Sequence, residues 1–256
     1  MAQVDLNADI GESFGPWVMG RDAEMLDIVS SANIACGGHA GDNSVMYETL
    51  RAAHEKGVVI GAHPGFEDKQ GFGRRRLPLT EAEVEGLVAA QTGALCGTAA
   101  LVGAKVRYVK VHGALSNWAC ETPGIARAVA RATKAVMGDD AVLLAVSGTE
   151  LEKAADDQGL RAASEIFADR GYTPGGQLVP RSQPGAMIHD ADVAADRLIR
   201  FLETGEMPTV GGDPVRLNAQ SICVHGDGPT AVEMARTLRA RLMAAGHAIK
   251  PFIQAI

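Results

Sequence analysis

Seven short runs of β-branched and aliphatic residues recur along the chain, each long enough for one buried strand. They lie at residues 4–8, 32–36, 58–62, 106–111, 141–146, 163–168 and 221–224. Helical patterns stand between and after them, at residues 22–30, 43–56, 80–102, 123–136, 148–158, 190–204 and 229–245. Continuous apolar strands that alternate with amphipathic helices predict a parallel sheet covered by helices.

The polar residues that follow the strands favour a barrel over an open sheet. In strand order they are Asp9 and Glu12, His39 and Asp42, His63, His112, Asp169 and Arg170, and His225 and Asp227. An open doubly wound sheet concentrates such residues at one switch point, whereas a barrel gathers its C-terminal loops around one mouth. We therefore predict a single domain over residues 1–256, an irregular (β/α) barrel of about seven parallel strands.

Charge and composition indicate which partners and which cellular compartment to expect. The formal net charge of -7 argues against nucleic acid as the main partner, because binding a phosphate backbone needs a basic face. The N-terminus has neither the basic nor the apolar region of a signal peptide, and the four cysteines form no CxxC pair. These features predict a cytoplasmic protein with reduced thiols.

One uncharged segment, residues 86–104, approaches the length of a membrane span. Its glycines and the capping box that begins at Thr80 predict a helix of the barrel instead, so no membrane partner is expected.

The first strand carries the densest group of carboxylates. Asp5, Asn7 and Asp9 share one face of a strand, because side chains alternate with a period of two, and Glu12 follows. In a barrel mouth these groups could bind a metal, position water or act as a general base. The alternative for Asp9 is a turn cap before Gly11. An unpaired carboxylate within a strand is costly to bury, which favours a functional role.

Histidines and glycines end the next strands. His39 lies in a glycine-rich segment whose backbone N–H groups could approach an anion, and Asp42 either contributes to that site or caps the following helix. His63, His112 and His225 each end a strand and precede proline or glycine. Imidazoles suit both proton transfer near neutral pH and metal binding.

A second group of charges follows the sixth strand. Glu165 and Asp169 are predicted to face the mouth, while Arg170 either forms a salt bridge with Asp169 or binds a substrate anion. Arg181 lies on a long Gly- and Pro-rich loop, residues 171–185, of a length that is often functional. The run that begins at Arg74 could also meet phosphate or carboxylate, although short charge runs are usually solvated.

Motifs of common nucleotide-binding folds and serine hydrolases are missing from the sequence. The motifs that are present resemble those of the LamB/YcsF family over nearly the whole chain. They are DLNADIGE at 5–12, SSANIACGGHAGD at 30–42, GAHPGF at 61–66, FGRRRL at 72–77, VKVHGALSN at 109–117, EIFADRGY at 165–172, LVPRSQPGAMI at 178–188 and VHGDG at 224–228.

The resemblance implies a fold like the irregular seven-stranded barrel of glycoside hydrolases and deacetylases. It implies that the chain acts as the A subunit of an ATP-hydrolysing 5-oxoprolinase, which opens the cyclic amide of 5-oxo-L-proline to L-glutamate while ATP, with Mg²⁺, becomes ADP and phosphate. It also implies two partners, the B and C subunits. Formation of a homo-oligomer and a metal bound by the protein are both left open.

Three positions depart from the family pattern. Val111 stands where relatives commonly have proline, and Ser116 stands where they have tyrosine, which removes a tyrosine contact to the substrate. Gly38 replaces a frequent phenylalanine and is expected to widen the pocket locally.

An unstrained lactam resists water, and phosphorylation of its oxygen would make a better electrophile. On this reaction we assign Asp9 or His112 to water activation, and His39 and His63 to polarising the substrate. Arg170 or Arg181 would bind an anion, and Asp42, His225 and Asp227 would support substrate or phosphate binding. The alternatives are a metal-dependent deacetylase or hydrolase, with a cation held by Asp9 and two of the three histidines, and a non-enzymatic carrier of substrate or nucleotide.

Overall fold

The computed structural model describes residues 3–226, 228 and 230–254. The strands there are β1 (Gln3–Ile10), β2 (Ser31–Ala35), β3 (Val59–His63), β4 (Val106–Val109), β5 (Val142–Val146), β6 (Arg161–Phe167), β7 (Glu206–Met207), β8 (Val215–Arg216), β9 (Ser221–Val224) and β10 (Ala248–Ile249). The helices are α1 (Asp22–Met25), α2 (Asn43–Glu55), α3 (Glu81–Leu101), α4 (Gly113–Glu121), α5 (Pro123–Met137), α6 (Glu150–Asp157), α7 (Ala191–Thr204) and α8 (Ala231–Ala244), with a 3-10 turn at Lys69–Gly71.

Seven parallel strands close into a barrel, as predicted. Their order is β1-β2-β3-β4-β5-β6-β9, and β9 pairs back onto β1 over Asp5 to Ala8. Strand β10 pairs in parallel with β1 at Gln3 and Val4, and β7 and β8 form a separate antiparallel pair. These three two-residue strands were not predicted, because they are too short to show a hydrophobic pattern.

The barrel is irregular between β3 and β4. Their register shifts between Ile60 and Gly61. A Cβ atom at Gly61 would lie 2.2 Å from the ring of Tyr108, so this glycine provides the space in which the ring lies. Tyr108 thereby reaches the barrel interior and donates a hydrogen bond of 2.6 Å to Oδ1 of Asn33.

Strand β1 shows how the alternation divides the molecule. Leu6, Ala8 and Ile10 belong to the large hydrophobic core in which strands and helices pack together. Asp5 and Asp9, on the other face, are also buried and make polar contacts. The predicted sharing of one face by the polar residues is therefore confirmed, and the polar face points into the barrel.

Helix α3 is long and apolar enough to cross a membrane by length and composition alone. A stripe of its side chains, including Val84, Val88 and Leu95, is buried in the hydrophobic core, and α3 contacts both α2 and α5. The capping box predicted at Thr80 and Glu83 is present. The helix thus packs as a barrel helix, as the sequence predicts.

One helix is shorter than predicted, and one helix was not predicted. The helix predicted at 22–30 ends at Met25, and the segment after His112, which the sequence presented as part of a strand-end motif, forms α4. Helix α4 begins at Gly113, whose φ of 54° lies in the left-handed region that glycine adopts readily. Because α4 begins at this atypical residue, the sequence pattern did not predict it.

Candidate functional site

A cavity of about 440 Å³ opens where the barrel strands end. It is the expected mouth, since its lining comes from the loops after several strands. The titratable residues that line it are Asp9, His63, Arg74, Lys110, His112, Cys120, Glu121, Arg170, Arg181 and His225. Of the twelve predicted site residues that the structure describes, six line it: Asp9, His63, His112, Arg170, Arg181 and His225.

Asp9 lies at the base of the cavity among polar partners. Its Oδ1 accepts hydrogen bonds from Nζ of Lys110 at 2.9 Å and from Nδ2 of Asn33 at 2.8 Å, and its Oδ2 lies 3.4 Å from Nε2 of His63. Burial alone would raise the pKa of Asp9, but its interactions with His63 and Lys110 outweigh burial and hold this pKa well below its ordinary value. Asp9 is therefore an ionised carboxylate at neutral pH.

Lys110 is the main residue of the site that the sequence-based reasoning missed. It is buried, and its Nζ lies 3.0 Å from Oε1 of Glu165 and 2.9 Å from Sγ of Cys223, in addition to its contact with Asp9. Burial lowers its pKa, but Asp9, Cys223 and Glu165 raise it more, so the pKa of Lys110 lies well above its ordinary value. A lysine at the end of an apolar strand was the available signal.

Four buried side chains form a cluster beside Asp9: Glu12, His39, His63 and His112, here called the histidine cluster. Nε2 of His39 lies 3.1 Å from Oε1 of Glu12, and Nε2 of His63 lies 3.0 Å from Nδ1 of His112. The rings of His39 and His112 stack with centroids 3.6 Å apart. The cluster confirms the predicted convergence of the second, third and fourth strand ends.

Close backbone packing fixes the histidine cluster. A Cβ atom at Gly65 would lie 2.7 Å from Nδ1 of His39, and one at Gly73 would lie 2.6 Å from Cβ of His39. Burial lowers the pKa of His39 and of His112 well below the ordinary histidine value. Both imidazoles are therefore neutral around pH 7.

The opposite side of the mouth contains a second acid and base pair. Nδ1 of His225 lies 2.8 Å from Oδ2 of Asp169, and the His225 ring stacks on Phe167 with centroids 5.3 Å apart. Burial would raise the pKa of Asp169, but His225 outweighs it, and the pKa is lowered. Asp169 thus pairs with His225, and the pair that was considered between Asp169 and Arg170 is not the one that forms.

Arg170 and Arg181 differ in their contacts and exposure. Arg170 donates from Nε to the carbonyl of Ala186 at 3.0 Å and from Nη2 to that of Val179 at 2.6 Å, so it holds the middle of the long loop and the residue that follows it. Burial and the nearby Arg181 lower the pKa of Arg170 to about 10. Arg181 lies on the exposed rim and lines the cavity from there.

Glu165 and Asp42, two further residues predicted for the site, lie outside the cavity lining. Glu165 is buried beneath Lys110, and its pKa is raised by burial despite that lysine. Asp42 caps α2 through hydrogen bonds from the N–H groups of Ser44 and Val45, which is the alternative role considered for it. Asp227 lies outside the described residues.

Asp5 is buried on the interior face of β1 and does not line the cavity. Its carboxylate accepts hydrogen bonds from the hydroxyl groups of Ser30, Ser31 and Ser221. The geometry therefore does not support the catalytic role predicted for Asp5.

The three departures from the family pattern have different consequences. Val111 and Ser116 line the cavity, so the position expected for a tyrosine offers a small hydroxyl instead. The expectation that Gly38 widens the pocket is wrong. A Cβ atom there would lie 2.4 Å from Nε2 of Gln91, whose amide fills the space and bonds the backbone of Gly65.

Comparison with known proteins gives matches over nearly the whole chain. The model of the LamB/YcsF family matches residues 4–256. The 5-oxoprolinase A subunit of Azorhizobium caulinodans is 54% identical over 98% of this chain and 99% of its own length. The crystal structure of a lactam utilization protein from Thermus thermophilus superposes with a TM-score of 0.91 at 42% identity, covering 97% of this chain and 99% of that one.

A more distant structural similarity concerns the fold alone. A T48 deacetylase solved with its substrate superposes with a TM-score of 0.50 at 14% identity, covering 98% of this chain and 88% of that one. The deacetylase-like barrel predicted from the sequence is thereby confirmed.

Proposed function

The chain belongs to the LamB/YcsF family, and from this premise we propose that it is the A subunit of an ATP-dependent 5-oxoprolinase. The reaction opens the lactam of 5-oxo-L-proline to L-glutamate and converts ATP, with Mg²⁺, to ADP and phosphate. The B and C subunits complete the enzyme, which works in the cytoplasm. The observation that carries the proposal is a cavity lined by the ionised Asp9 and several cations, in a chain 54% identical to a protein of that name.

The chemistry explains why an anion-binding cavity suits this reaction. Transfer of the γ-phosphoryl group of ATP to the lactam oxygen releases ADP and leaves a ring carbon that water can attack. The ring nitrogen then takes up a proton and leaves, which gives an acyl phosphate. A second water molecule hydrolyses this phosphate to glutamate and inorganic phosphate. The substrate carboxylate and the phosphoryl group both carry negative charge throughout.

Asp9 is placed to orient the attacking water. Its carboxylate lies at the base of the cavity and is held by Lys110, so it accepts a hydrogen bond from water without losing its charge. His63 and His112 line the same region, and the carbonyl oxygens of Lys110 and Phe72 hold their outer nitrogens.

Cations at the mouth suit the anionic groups of the substrate. Arg74 and Arg181 line the cavity at exposed positions, whereas the N–H groups of Arg170 largely hold the loop. We assign the substrate anions to Arg74 and Arg181, and we assign loop positioning to Arg170. His225, oriented by Asp169, faces the same space.

The test is glutamate release from 5-oxoproline by the chain together with the B and C subunits, with and without ATP. We expect turnover only in the complete mixture, and Asp9→Asn is expected to lower kcat by about 10²- to 10⁴-fold, the range of a positioned acid or base. The exposed Asp213→Asn serves as the matched control and should retain wild-type turnover. Wild-type turnover by Asp9→Asn would remove Asp9 from the mechanism.

The histidine cluster favours one alternative, a metal-dependent amide hydrolase on the same barrel. That enzyme would cleave amides without ATP and without partner subunits. Amide cleavage by the chain alone, together with no turnover in the complete mixture, would establish this alternative. A carrier of substrate would instead bind 5-oxoproline while variants at the mouth left the chemistry of the partners unchanged.

A further inference from the structure

We propose that Glu12, His39, His63 and His112 bind one divalent transition-metal ion, with zinc as the reference ion, at the base of the cavity. One ligand atom of each residue lies within 4.8 Å of the others. The closest contacts are 3.0 Å between His63 and His112, 3.1 Å between His39 and Glu12, and 3.7 Å between His112 and Glu12. Tetrahedral zinc with bonds of about 2.0–2.1 Å places its ligand atoms roughly 3.3 Å apart.

The outer nitrogens of two histidines identify where their lone pairs point. Nδ1 of His63 lies 2.7 Å from the carbonyl oxygen of Lys110, and Nε2 of His112 lies 2.9 Å from that of Phe72. A carbonyl oxygen only accepts hydrogen bonds, so each of these nitrogens carries the proton. Histidines that bind metals characteristically donate their other N–H to a backbone carbonyl or a carboxylate.

The inner nitrogens of the same two rings then face each other without a proton. In neutral imidazoles, Nε2 of His63 and Nδ1 of His112 are both lone-pair acceptors, and they lie 3.0 Å apart. Two facing lone pairs repel unless a cation lies between or beside them. A metal ion beside both nitrogens satisfies the two lone pairs together.

The surroundings balance the charge of such an ion and leave one side open. Glu12 supplies one negative charge directly, and Oδ2 of Asp9 lies 3.4 Å from Nε2 of His63 and supplies a second. Gly65 and Gly73 close the cluster on the His39 side, whereas His63 and His112 line the cavity. With four protein ligands the resting ion would be tetrahedral, and water or substrate from the cavity would bind it as a fifth ligand.

The donor set decides the class of ion. Three imidazole nitrogens and one carboxylate oxygen suit zinc and its first-row neighbours, whereas Mg²⁺ and Ca²⁺ prefer oxygen ligands. A water molecule that entered from the cavity as a fifth ligand would be made more acidic by the ion, with Asp9 as its hydrogen-bond acceptor. This catalytic use rests on the proposed function, but the binding site does not.

The test measures binding without turnover. The protein, free of any histidine tag, is stripped with chelator and titrated with Co²⁺ while visible absorption is recorded, and zinc content is measured by elemental analysis after purification. We expect one ion per chain and the intense bands of tetrahedral Co²⁺, displaced by zinc. A folded wild-type protein that binds neither ion would overturn the proposal.

Two substitutions locate the ion. Glu12→Gln and His112→Gln should each weaken Co²⁺ binding by at least about 100-fold, the upper end of what even indirect support of a metal ligand contributes. His54→Gln, on the exposed face of α2, is the matched control and should bind like wild type. Unchanged affinity in both cluster variants would place the ion elsewhere and overturn the assignment. If the wild-type protein bound no metal ion, the 5-oxoprolinase proposal would still stand, because it is tested separately by glutamate release.

Discussion

Asp5 and Asp9 are aspartates of the same strand and the same face, yet their surroundings affect ionisation in opposite directions. They stand four residues apart, roughly 13 Å along a strand, and both are buried. Burial raises the pKa of Asp5 to about 6, although three serine hydroxyl groups and Lys110 oppose it. The pKa of Asp9 is instead held well below its ordinary value.

The difference lies in the partners. Hydroxyl groups stabilise the Asp5 carboxylate only in part, so burial remains the largest effect there. The interactions of Asp9 with His63 and with the charged Lys110 outweigh burial. One end of the barrel interior is therefore a hydrogen-bonded layer around a carboxyl group with a pKa of about 6, and the other is a charged centre that faces the cavity. Substitutions that remove these partners test this contrast.

Removing the cation should have the largest effect. Lys110→Met leaves Asp9 and Glu165 buried without their shared positive partner, and breaking a buried ion pair in this way costs about 3–5 kcal/mol. We expect a loss of this size in the free energy of unfolding, measured by urea denaturation at pH 7.5. The exposed Lys105→Met is the control and should unfold like wild type. Equal stability of both variants would show that Lys110 does not hold the charged centre together.

Asp5 should make stability depend on pH in the acidic range. Because its folded pKa is raised from 3.8 to about 6, its contribution is fully present below pH 3.8 and is lost as the pH rises through 6. The interval corresponds to about 3 kcal/mol. Between pH 3.5 and 8, wild type should therefore lose about 3 kcal/mol of unfolding free energy relative to Asp5→Asn.

The measurement is chemical denaturation of both proteins at several pH values. Asp213→Asn, at an exposed position, controls for the general effect of pH on the fold. A constant difference between wild type and Asp5→Asn over this range would mean that Asp5 has an ordinary pKa.

The contrast also shows what a sequence can predict. Alternation along β1 predicts that Asp5 and Asp9 share a face, and the structure confirms it. The partners of each aspartate depend on contacts across the barrel, such as that between Asp9 and Lys110, which is 101 residues away in the sequence. Neither hydrophobic pattern nor spacing encodes that distance, so Lys110 was missed.

The same reasoning applies around the mouth. Histidines at strand ends predicted the cluster of His39, His63 and His112, because parallel strands of a barrel end at one rim. The uses of Asp42 and Arg170 depend on local backbone geometry: one caps α2, and the other ties down the long loop. Side-chain packing determines the space beside Gly38, because Gln91 on α3 fills it.

The smallest expected effect concerns one hydroxyl group beside Asp5. Oγ of Ser31 donates a hydrogen bond to Oδ1 of Asp5 at 2.5 Å. This bond lowers the pKa of Asp5, so it stabilises the carboxylate more than the neutral acid. Ser31→Ala should therefore cost about 2 kcal/mol of unfolding free energy at pH 8, where the acceptor is charged, and about 1 kcal/mol at pH 4, where it is protonated. The exposed Ser44→Ala should show no such pH dependence. A larger cost for Ser31→Ala at pH 4 than at pH 8 would mean that Asp5 is not the group that titrates, and the contrast with Asp9 would then need another cause.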